Sequence, residues 1–374
     1  MKIQMCDLAG QYKKIQTEVD AAISQVINNS AFIYGPQVTE FKTNLERYTG
    51  AKHVIPCANG TDALQIALMA LDLQPGDEVI APAFTYVAAA EVIGLLRLVP
   101  VMVDVDYDSF NITLNNVEKA LSEKTKAIIP VHLFGQSCPM EEIMNFAQKH
   151  SLYVVEDNAQ AIGAQYTFSD GSTKQTGTMG HIGCTSFFPT KNLGCFGDGG
   201  AMMTEDNALA ERLRMMTVHG QSKKYYHEVL GCNSRLDTVQ ATILNVKIQH
   251  LNEYTQARQR AAKIYTEGLT NIDGIVLPKE MPYSTHVYHQ YTLKVKYGRR
   301  DALKAYLSEL GVPSMVYYPL PINEQNAFKN ISRASESLTV SKELADSVLS
   351  LPMHTELTED EQKYIIATVK NFFK

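Results

Sequence analysis

Between residues 60 and 205 the chain alternates short, continuously apolar runs with stretches of helical periodicity, and this rhythm restricts the fold more than any other feature. Thr61–Leu71 carries apolar residues at 64, 67, 68 and 71, the spacing of one helix face. Glu78–Pro82, Pro100–Asp104, Lys126–Val131 and Leu152–Glu156 read as strands. Ala88–Leu96, Leu114–Leu121 and Met140–His150 read as the helices between them. Strands that are apolar on both sides and separated by helices belong to a mostly parallel sheet covered on both faces. Ile182–Phe187 and Gly200–Thr204 add two further strands. The expected architecture is therefore α/β, with a mostly parallel central sheet covered by helices.

Past Ser234 the pattern changes. Leu236–Leu269 reads as one long helix or two joined ones. After the breakers Gly274 and Pro278 come strand-like Val287–Val295, helical Arg299–Leu310, Val312–Tyr317, and a last helix over Thr358–Phe372. This predicts a large domain over 13–245 and a smaller C-terminal α+β domain over 246–374, with residues 1–12 packing on the latter. A chain of 374 residues is long enough for two such cores.

Composition excludes several classes. The formal charge is −6 and no Lys/Arg run exceeds two residues, which argues against a nucleic-acid binder. No stretch reaches the ~18 apolar residues of a membrane span, and Asp7 and Gly10 interrupt any leader-like start. Six scattered cysteines form no CxxC pair and show no zinc spacing. Reduced thiols in a cytoplasmic protein are expected, with no bound metal. Cys195, near Lys191, is the one candidate thiol nucleophile, but no base is visible beside it. His132, His181 and His354 lack metal spacing and read as structural or supporting groups.

The chemistry gathers at the carboxyl ends of the expected strands, where open α/β sheets bind ligands. Lys191 lies in Thr185-Ser-Phe-Phe-Pro-Thr-Lys-Asn-Leu-Gly194, just before Gly197-Asp-Gly-Gly200. Asp157 and Gln160 follow the strand 152–156. Asn59-Gly-Thr-Asp62 opens a helix, where free N–H groups suit a phosphate; an N-cap by Asn59 or Thr61 is the competing reading. Pyridoxal 5′-phosphate needs a lysine for its aldehyde, a carboxylate for its pyridine nitrogen, a phosphate cup, a cover for the ring and a polar group for its hydroxyl. Lys191, Asp157, Gly60–Thr61 with Ser186, Phe84 and Gln160 can supply these in turn. A nicotinamide-dependent sugar oxidoreductase would share the fold class, but its Gly-x-Gly-x-x-Gly turn is missing.

With these residues in place the sequence resembles the sugar aminotransferases of the DegT/DnrJ/EryC1/StrS family, which are fold-type I pyridoxal-phosphate enzymes. The likeness runs over nearly the whole chain: Tyr34-Gly-Pro-Gln-Val-Thr-Glu40, Cys57-Ala-Asn-Gly-Thr-Asp-Ala-Leu64, Pro82-Ala-Phe-Thr-Tyr-Val-Ala88, Glu156-Asp-Asn-Ala-Gln160, Ser186-Phe-Phe-Pro-Thr-Lys191, Gly197-Asp-Gly-Gly200, Asn233-Ser-Arg-Leu-Asp237 and Leu351-Pro-Met-His354. The resemblance implies that Lys191 carries the cofactor and Asp157 pairs with its pyridine nitrogen. It further implies that Gln160 meets the ring hydroxyl, Phe84 stacks on the ring, and Gly60, Thr61 and Ser186 bind phosphate. Asn233 would reach the phosphate of a neighbouring subunit, implying a homodimer with a shared site. A dehydratase branch of the family has histidine at the lysine position, so Lys191 points to transamination. The implied activity moves an amino group, with glutamate as donor, to the 3-keto group of a nucleotide sugar. UDP-2-acetamido-2-deoxy-3-oxo-glucuronate is the expected acceptor, on the way to surface polysaccharide and lipopolysaccharide O-antigen. A dTDP-linked 3-keto-6-deoxyhexose and UDP-3-keto-N-acetylglucosamine are alternatives, and a catalytically idle regulator is the alternative of another class. Arg235 would suit a sugar carboxylate, or else pair with Asp237. Tyr317 and Tyr318 are expected near the substrate, although relatives carry His-Tyr-Pro where this chain has Tyr317-Tyr318-Pro319. His219 and the following Lys223, Lys224, Tyr225, Tyr226 and His227 either meet the nucleotide diphosphate or form a solvated loop.

Overall fold

The computed structural model describes residues 3–374. Its elements, in chain order, begin with α1 (Leu8–Asn29), α2 (Pro36–Thr49), β1 (His53–Cys57), α3 (Gly60–Ala70), β2 (Glu78–Pro82), α4 (Ala88–Leu95) and β3 (Val99–Val103). Next come α5 (Leu114–Ala120), β4 (Thr125–Ile128), α6 (Met140–Lys149), β5 (Tyr153–Asp157), the hairpin β6 (Gln165–Thr167) and β7 (Thr173–Gln175), β8 (Ile182–Ser186) and β9 (Gly200–Thr204). The rest comprises α7 (Asn207–Met216), the hairpin β10 (Gln221–Lys223) and β11 (Tyr226–His227), α8 (Thr238–Gln249), α9 (Leu251–Leu269), β12 (Ile275–Val276) and β13 (Tyr291–Val295). It ends with α10 (Arg300–Glu309), β14 (Arg333–Ala334), α11 (Thr339–Ser347), β15 (Val348–Leu351) and α12 (Glu359–Phe373).

Eight strands form one sheet in the order β1-β9-β8-β5-β4-β2-β3-β14. Only β9 runs against the others, pairing antiparallel with β1 and β8. β2, β8 and β9 are buried at every residue, which is why they read as unbroken apolar runs in the sequence. Because the other strands share one sense, the ends of β1, β2, β5 and β8 open on the same edge. Cys57, Gly200 and Ser186 lie level across three strands there. Gly200 is required at this spot: a Cβ on it would sit 2.4 Å from the backbone of Asn59. The α3 N-terminus therefore lies directly on the sheet edge.

A second core joins Ile3, Ala262 and Tyr265 of α9, the antiparallel sheet β12-β13-β15, α10 and α12. The N-terminal segment is tied to it by Met353 N–H donating to Met5 O (3.3 Å) and by Lys14 pairing with Glu356 (2.5 Å). Of the two readings of 236–269, the structure shows two joined helices, α8 and α9, meeting at His250. The expected division at 245/246 falls inside α8. Moreover, Ile322, Phe328, Leu344 and Val348 pack in the core of the large sheet, to which β14 adds an edge strand parallel to β3. The expected strand over 287–295 begins only at Tyr291. Its first residues turn away to bond the loop after β4: Val287 N–H donates to Gly135 O (2.9 Å) and Tyr288 takes a positive φ of 46°.

Candidate active site

Asn59 caps α3, its side chain accepting from Asp62 N–H at 2.8 Å. That settles the N-cap reading of Asn59 and leaves the N–H groups of Gly60 and Thr61 at the helix start with no acceptor among the described residues. Gly60 packs so tightly on Ser186 that a Cβ would come within 2.7 Å of the serine Cβ. Two free N–H groups, the Ser186 hydroxyl and the positive helix end together make an anion cradle.

Beside the cradle, β5 delivers Asp157 and β8 leads into Lys191. Asp157 is only 7% exposed, yet its carboxylate accepts a single hydrogen bond, from Ala159 N–H at 3.0 Å. Burial pushes its pKa up, opposed by that bond and by the charges of Lys191 and His132. A buried carboxylate this poorly partnered suits a cationic N–H, and among the described residues no side chain donates to it. Lys191 is partly accessible, and desolvation lowers its ammonium to about 8, with Asp157 opposing the shift.

The neighbouring residue of the same strand faces the other way. Glu156 is fully buried and accepts from His132 Nε2 (2.8 Å) and from the backbone N–H groups of Gly177 (2.8 Å), Met179 (2.7 Å) and Gly180 (2.5 Å). Burial works against its charge, but the His132 ring and these N–H groups outweigh it and hold the carboxyl below its usual range. His132 Nδ1 accepts from Cys138 N–H (3.1 Å), so Nε2 carries the proton that Glu156 receives. His132 thus staples the segment after β4 to the end of β5. From that segment Phe134 N–H donates to Gln160 Oε1 (2.8 Å), while Gln160 Nε2 donates to the Tyr318 hydroxyl (3.0 Å).

Phe84 requires a correction. It is wholly buried, packed on Phe110 and Tyr318, so no face of it remains for a ring to stack on. Tyr86, two residues on, is 57% exposed and lies 6.2 Å from Tyr318. The sequence carries no signal that separates the two, since both are aromatic and follow the same strand.

Lys191, Asp157, Gln160, Gly60, Thr61, Ser186 and Tyr318 line one end of the sheet. Asn233, Arg235 and His219 do not join them within one chain. Asn233 is exposed, and it is Ser234 that accepts from Ala58 N–H next to the cradle (3.1 Å). Arg235 makes no ion pair with Asp237; its guanidinium lies 5.9 Å from the Tyr34 ring in a surface groove of about 480 Å³ shared with Lys42 and Arg214. His219 is exposed with a positive φ of 63°, and its carbonyl accepts from His227 Nδ1 (2.7 Å). Tyr317 opens on a cleft of about 460 Å³ with Thr190 and His289. The Cys195 thiol donates to the carbonyls of Phe187 and Gly197, and burial raises it to about 11, which leaves no nucleophile there.

The residues present fit pyridoxal phosphate on three structural counts: the cradle that a Cβ would fill, the under-partnered Asp157, and an amine of lowered pKa between them. Such a site at the strand ends of a sheet with one reversed strand defines a pyridoxal-phosphate-dependent transaminase. The chain belongs to the DegT/DnrJ/EryC1/StrS aminotransferase family, whose profile matches residues 13–370. It is 45% identical to the "Pleiotropic regulatory protein" of Geobacillus stearothermophilus, over 100% of this chain and 99% of that one. It is 43% identical to the UDP-2-acetamido-2-deoxy-3-oxo-D-glucuronate aminotransferase of Pseudomonas aeruginosa (99% and 100% covered). Identity to the UDP-N-acetyl-3-dehydro-alpha-D-glucosamine 3-aminotransferase of Acidithiobacillus ferrooxidans is 44% (98% and 96%). A solved DegT/DnrJ/EryC1/StrS aminotransferase from Brucella abortus superposes with a TM-score of 0.95 at 41% identity, covering 99% of each chain.

Proposed function

We propose that the protein transfers an amino group from an amino acid, glutamate by preference, to the 3-keto group of a nucleotide-linked sugar, with UDP-2-acetamido-2-deoxy-3-oxo-glucuronate as acceptor. The observation that carries the chemistry is the combination of a buried, under-partnered Asp157 with the lowered amine of Lys191 near a helix start closed by Gly60 on Ser186. Pyridoxal phosphate, when bound, supplies the aldehyde and the electron-withdrawing ring that transamination needs. The chain does the rest. Asp157 holds a proton at the pyridine nitrogen. Gln160, fixed by Phe134 and Tyr318, orients the ring hydroxyl, and Tyr86 covers the ring face in place of Phe84. The Lys191 amine would take a proton from the donor's α-carbon and deliver it to the cofactor carbon that had held the lysine. Its pKa of about 8 keeps a useful share of it unprotonated near neutrality.

This acceptor is supported by the two relatives named for UDP-linked sugars, and by Arg235, whose guanidinium pairs with no acid among the described residues. Arg235, Asn233 and the β10–β11 hairpin serve the site of a second subunit in this reading, so the working form is a homodimer. Six unpaired thiols suit a reducing cytoplasm, and surface polysaccharide or O-antigen assembly is the pathway such a sugar serves. The test is to load the enzyme with pyridoxamine phosphate and offer a panel of keto-sugar nucleotides with and without the C6 carboxylate. Return of the lysine-bound cofactor's visible band with the carboxylated UDP-sugar supports the assignment; return only with dTDP-6-deoxy sugars overturns it. A regulatory reading is favoured by the name of one relative. A colourless protein that transfers no amino group from any donor would be its signature.

A further inference from the structure

We propose that Lys247 is a positioning residue for Lys191: its ammonium grips the turn that carries Lys191 and registers that turn against α8. The proposal rests on the role given to Lys191 above. Lys191 lies in the middle of a turn over 187–195 that is closed on itself. Phe187 O accepts from Cys195 N–H (2.8 Å), and Phe188 O accepts from Lys191 N–H (2.8 Å). Gly194 makes the closure possible, since a Cβ on it would stand 2.4 Å from Pro189 O. A turn closed in this way moves as one piece, so Lys191 stands wherever the turn is held. Among the described residues, side-chain hydrogen bonds tie it to the chain outside 186–200 at two places. On one side, Asn192 Nδ2 donates to Val287 O (3.0 Å), and Asn192 Oδ1 faces His289 Nδ1 at 3.3 Å. On the other, Lys247 Nζ donates to Gly194 O at 2.6 Å.

Lys247 is only 2% exposed, and among the described residues no acid pairs with it. Its other contact is the Phe196 ring, whose centre lies 5.5 Å from Nζ. Burial lowers its ammonium to about 8, with the Cys195 and Cys6 thiols opposing the shift, so it is mostly charged near neutrality. A buried charge without a counter-ion works against folding, so its presence here points to a task other than stability. The two ends of the bond show what that task is. A charged N–H holds a carbonyl more firmly than a neutral one. The helix that supplies it is itself fixed: Thr238 N–H donates to Phe32 O (3.0 Å), Asn245 Oδ1 accepts from Asn44 Nδ2 (2.9 Å), and Asn245 Nδ2 donates to Gln37 O (3.0 Å). The turn is thereby held to a rigid element. Gly194 follows Lys191 by three residues in a closed turn, so slippage at its carbonyl displaces the amine, and proton transfer weakens steeply with misplacement.

Two variants test this in two states of the protein. Lys247→Met keeps the apolar stem and removes the donor; Lys247→Arg keeps charged N–H donors. In Lys247→Met, relief of the buried charge and the stranded Gly194 O act in opposite directions, so Tm stays within about 3 °C of the parent. In the cofactor-free protein, amide hydrogen exchange read by mass spectrometry shows 187–195 exchanging about tenfold faster, the size of one lost charge-assisted hydrogen bond, with β8 and α8 unchanged. In the loaded enzyme, stopped-flow with α-deuterated glutamate shows the first half-reaction slowed about tenfold, with a larger isotope effect and a donor half-saturation within about twofold of the parent. Lys247→Arg restores most of both. Should Lys247→Met not accumulate folded, Lys247→Gln, whose amide ends one bond short of Gly194 O, carries the same readouts. Unchanged exchange over 187–195, a half-reaction that is not slowed, or equal losses in the Met and Arg variants with a lowered Tm overturns the proposal in favour of packing alone. Faster exchange over 187–195 in a protein whose parent form transfers no amino group supports the grip on the turn and counts against the role given to Lys191.

Discussion

Phe84 and Tyr86 stand two positions apart after β2, and their burial inverts the roles that their sequence context suggests. Phe84 has no accessible surface, whereas Tyr86 has 57% of its own. Removing each should therefore break a different property. Phe84→Ala empties a core site and costs about 3–5 kcal/mol, seen as a large fall in Tm with the cofactor site intact in the molecules that fold. Tyr86→Ala leaves Tm nearly unchanged and weakens cofactor retention about fivefold, the size of one aromatic contact, measured by equilibrium dialysis. The reverse pattern would return the ring cover to Phe84. Lys191 supports a second prediction. Its folded pKa of about 8 lies below the ordinary 10.5 because burial disfavours the charge. The unprotonated amine therefore becomes dominant as pH rises through about 8. The rate at which cofactor-free protein binds pyridoxal phosphate should climb across that window and level off above it. A rate still climbing beyond pH 10 would mean that the amine is not lowered. At this scale the residue types were legible, since a lysine, a carboxylate and a Gly-Thr turn at strand ends carry their own chemistry. Which of two aromatics faces the ligand was not, because that depends on how the chain folds after the strand.

The elements show why the site holds its shape. Successive residues of β5 face opposite sides, so Glu156 is turned into the protein when Asp157 is turned toward the site. The buried carboxylate gathers three backbone N–H groups from the Gly177–Gly180 turn and the His132 ring. One acid thereby locks two loops to the strand that carries Asp157. Glu156→Gln keeps the shape but supplies one acceptor oxygen in place of two, stranding buried donors. It should cost about 3–5 kcal/mol, read as a lower urea midpoint, and should loosen cofactor binding through Gln160 and Asp157. A variant with an unchanged midpoint would show that the strut is dispensable. The sequence made the inner strands readable because they are buried on both faces and so apolar throughout. It left three kinds of element unread. β1 carries Pro56 and lies at the sheet edge. α1 shows only Ile15, Val19 and Val26 fully buried over its 22 residues, a thin stripe. β14 is two residues long and joins the sheet from the far end of the chain, a pairing that no local pattern encodes. Likewise the turn at 287–290 overrides a strand-like composition because Gly135 and Asn192 offer it other partners.

Over the whole molecule, one chain brings together only part of the set of residues that the sequence assigns to the site. Lys191, Asp157, Gln160 and the cradle are together; Asn233, Arg235 and His219 lie elsewhere on the surface. Around these outlying residues Phe32, Ile33, Tyr34, Tyr225, Tyr226 and Leu230 are all between 47% and 89% exposed. Large apolar side chains left in water together are the kind of surface that a partner covers. If a second copy covers it with two-fold symmetry, each site takes its lysine from one subunit and its arginine from the other. Complementation then tests the arrangement directly. Lys191→Ala and Arg235→Ala homodimers are both expected to be inactive toward the sugar. Mixing them through reversible dissociation makes heterodimers of half the population, each with one complete site of two. Activity should return to about a quarter of the parent value, with a hydrodynamic mass of two chains by sedimentation. Were the site built within one chain, every chain in the mixture would lack either Lys191 or Arg235, and no activity would return at any ratio. The experiment thus separates a shared site from a merely dimeric protein, which a mass measurement alone cannot do.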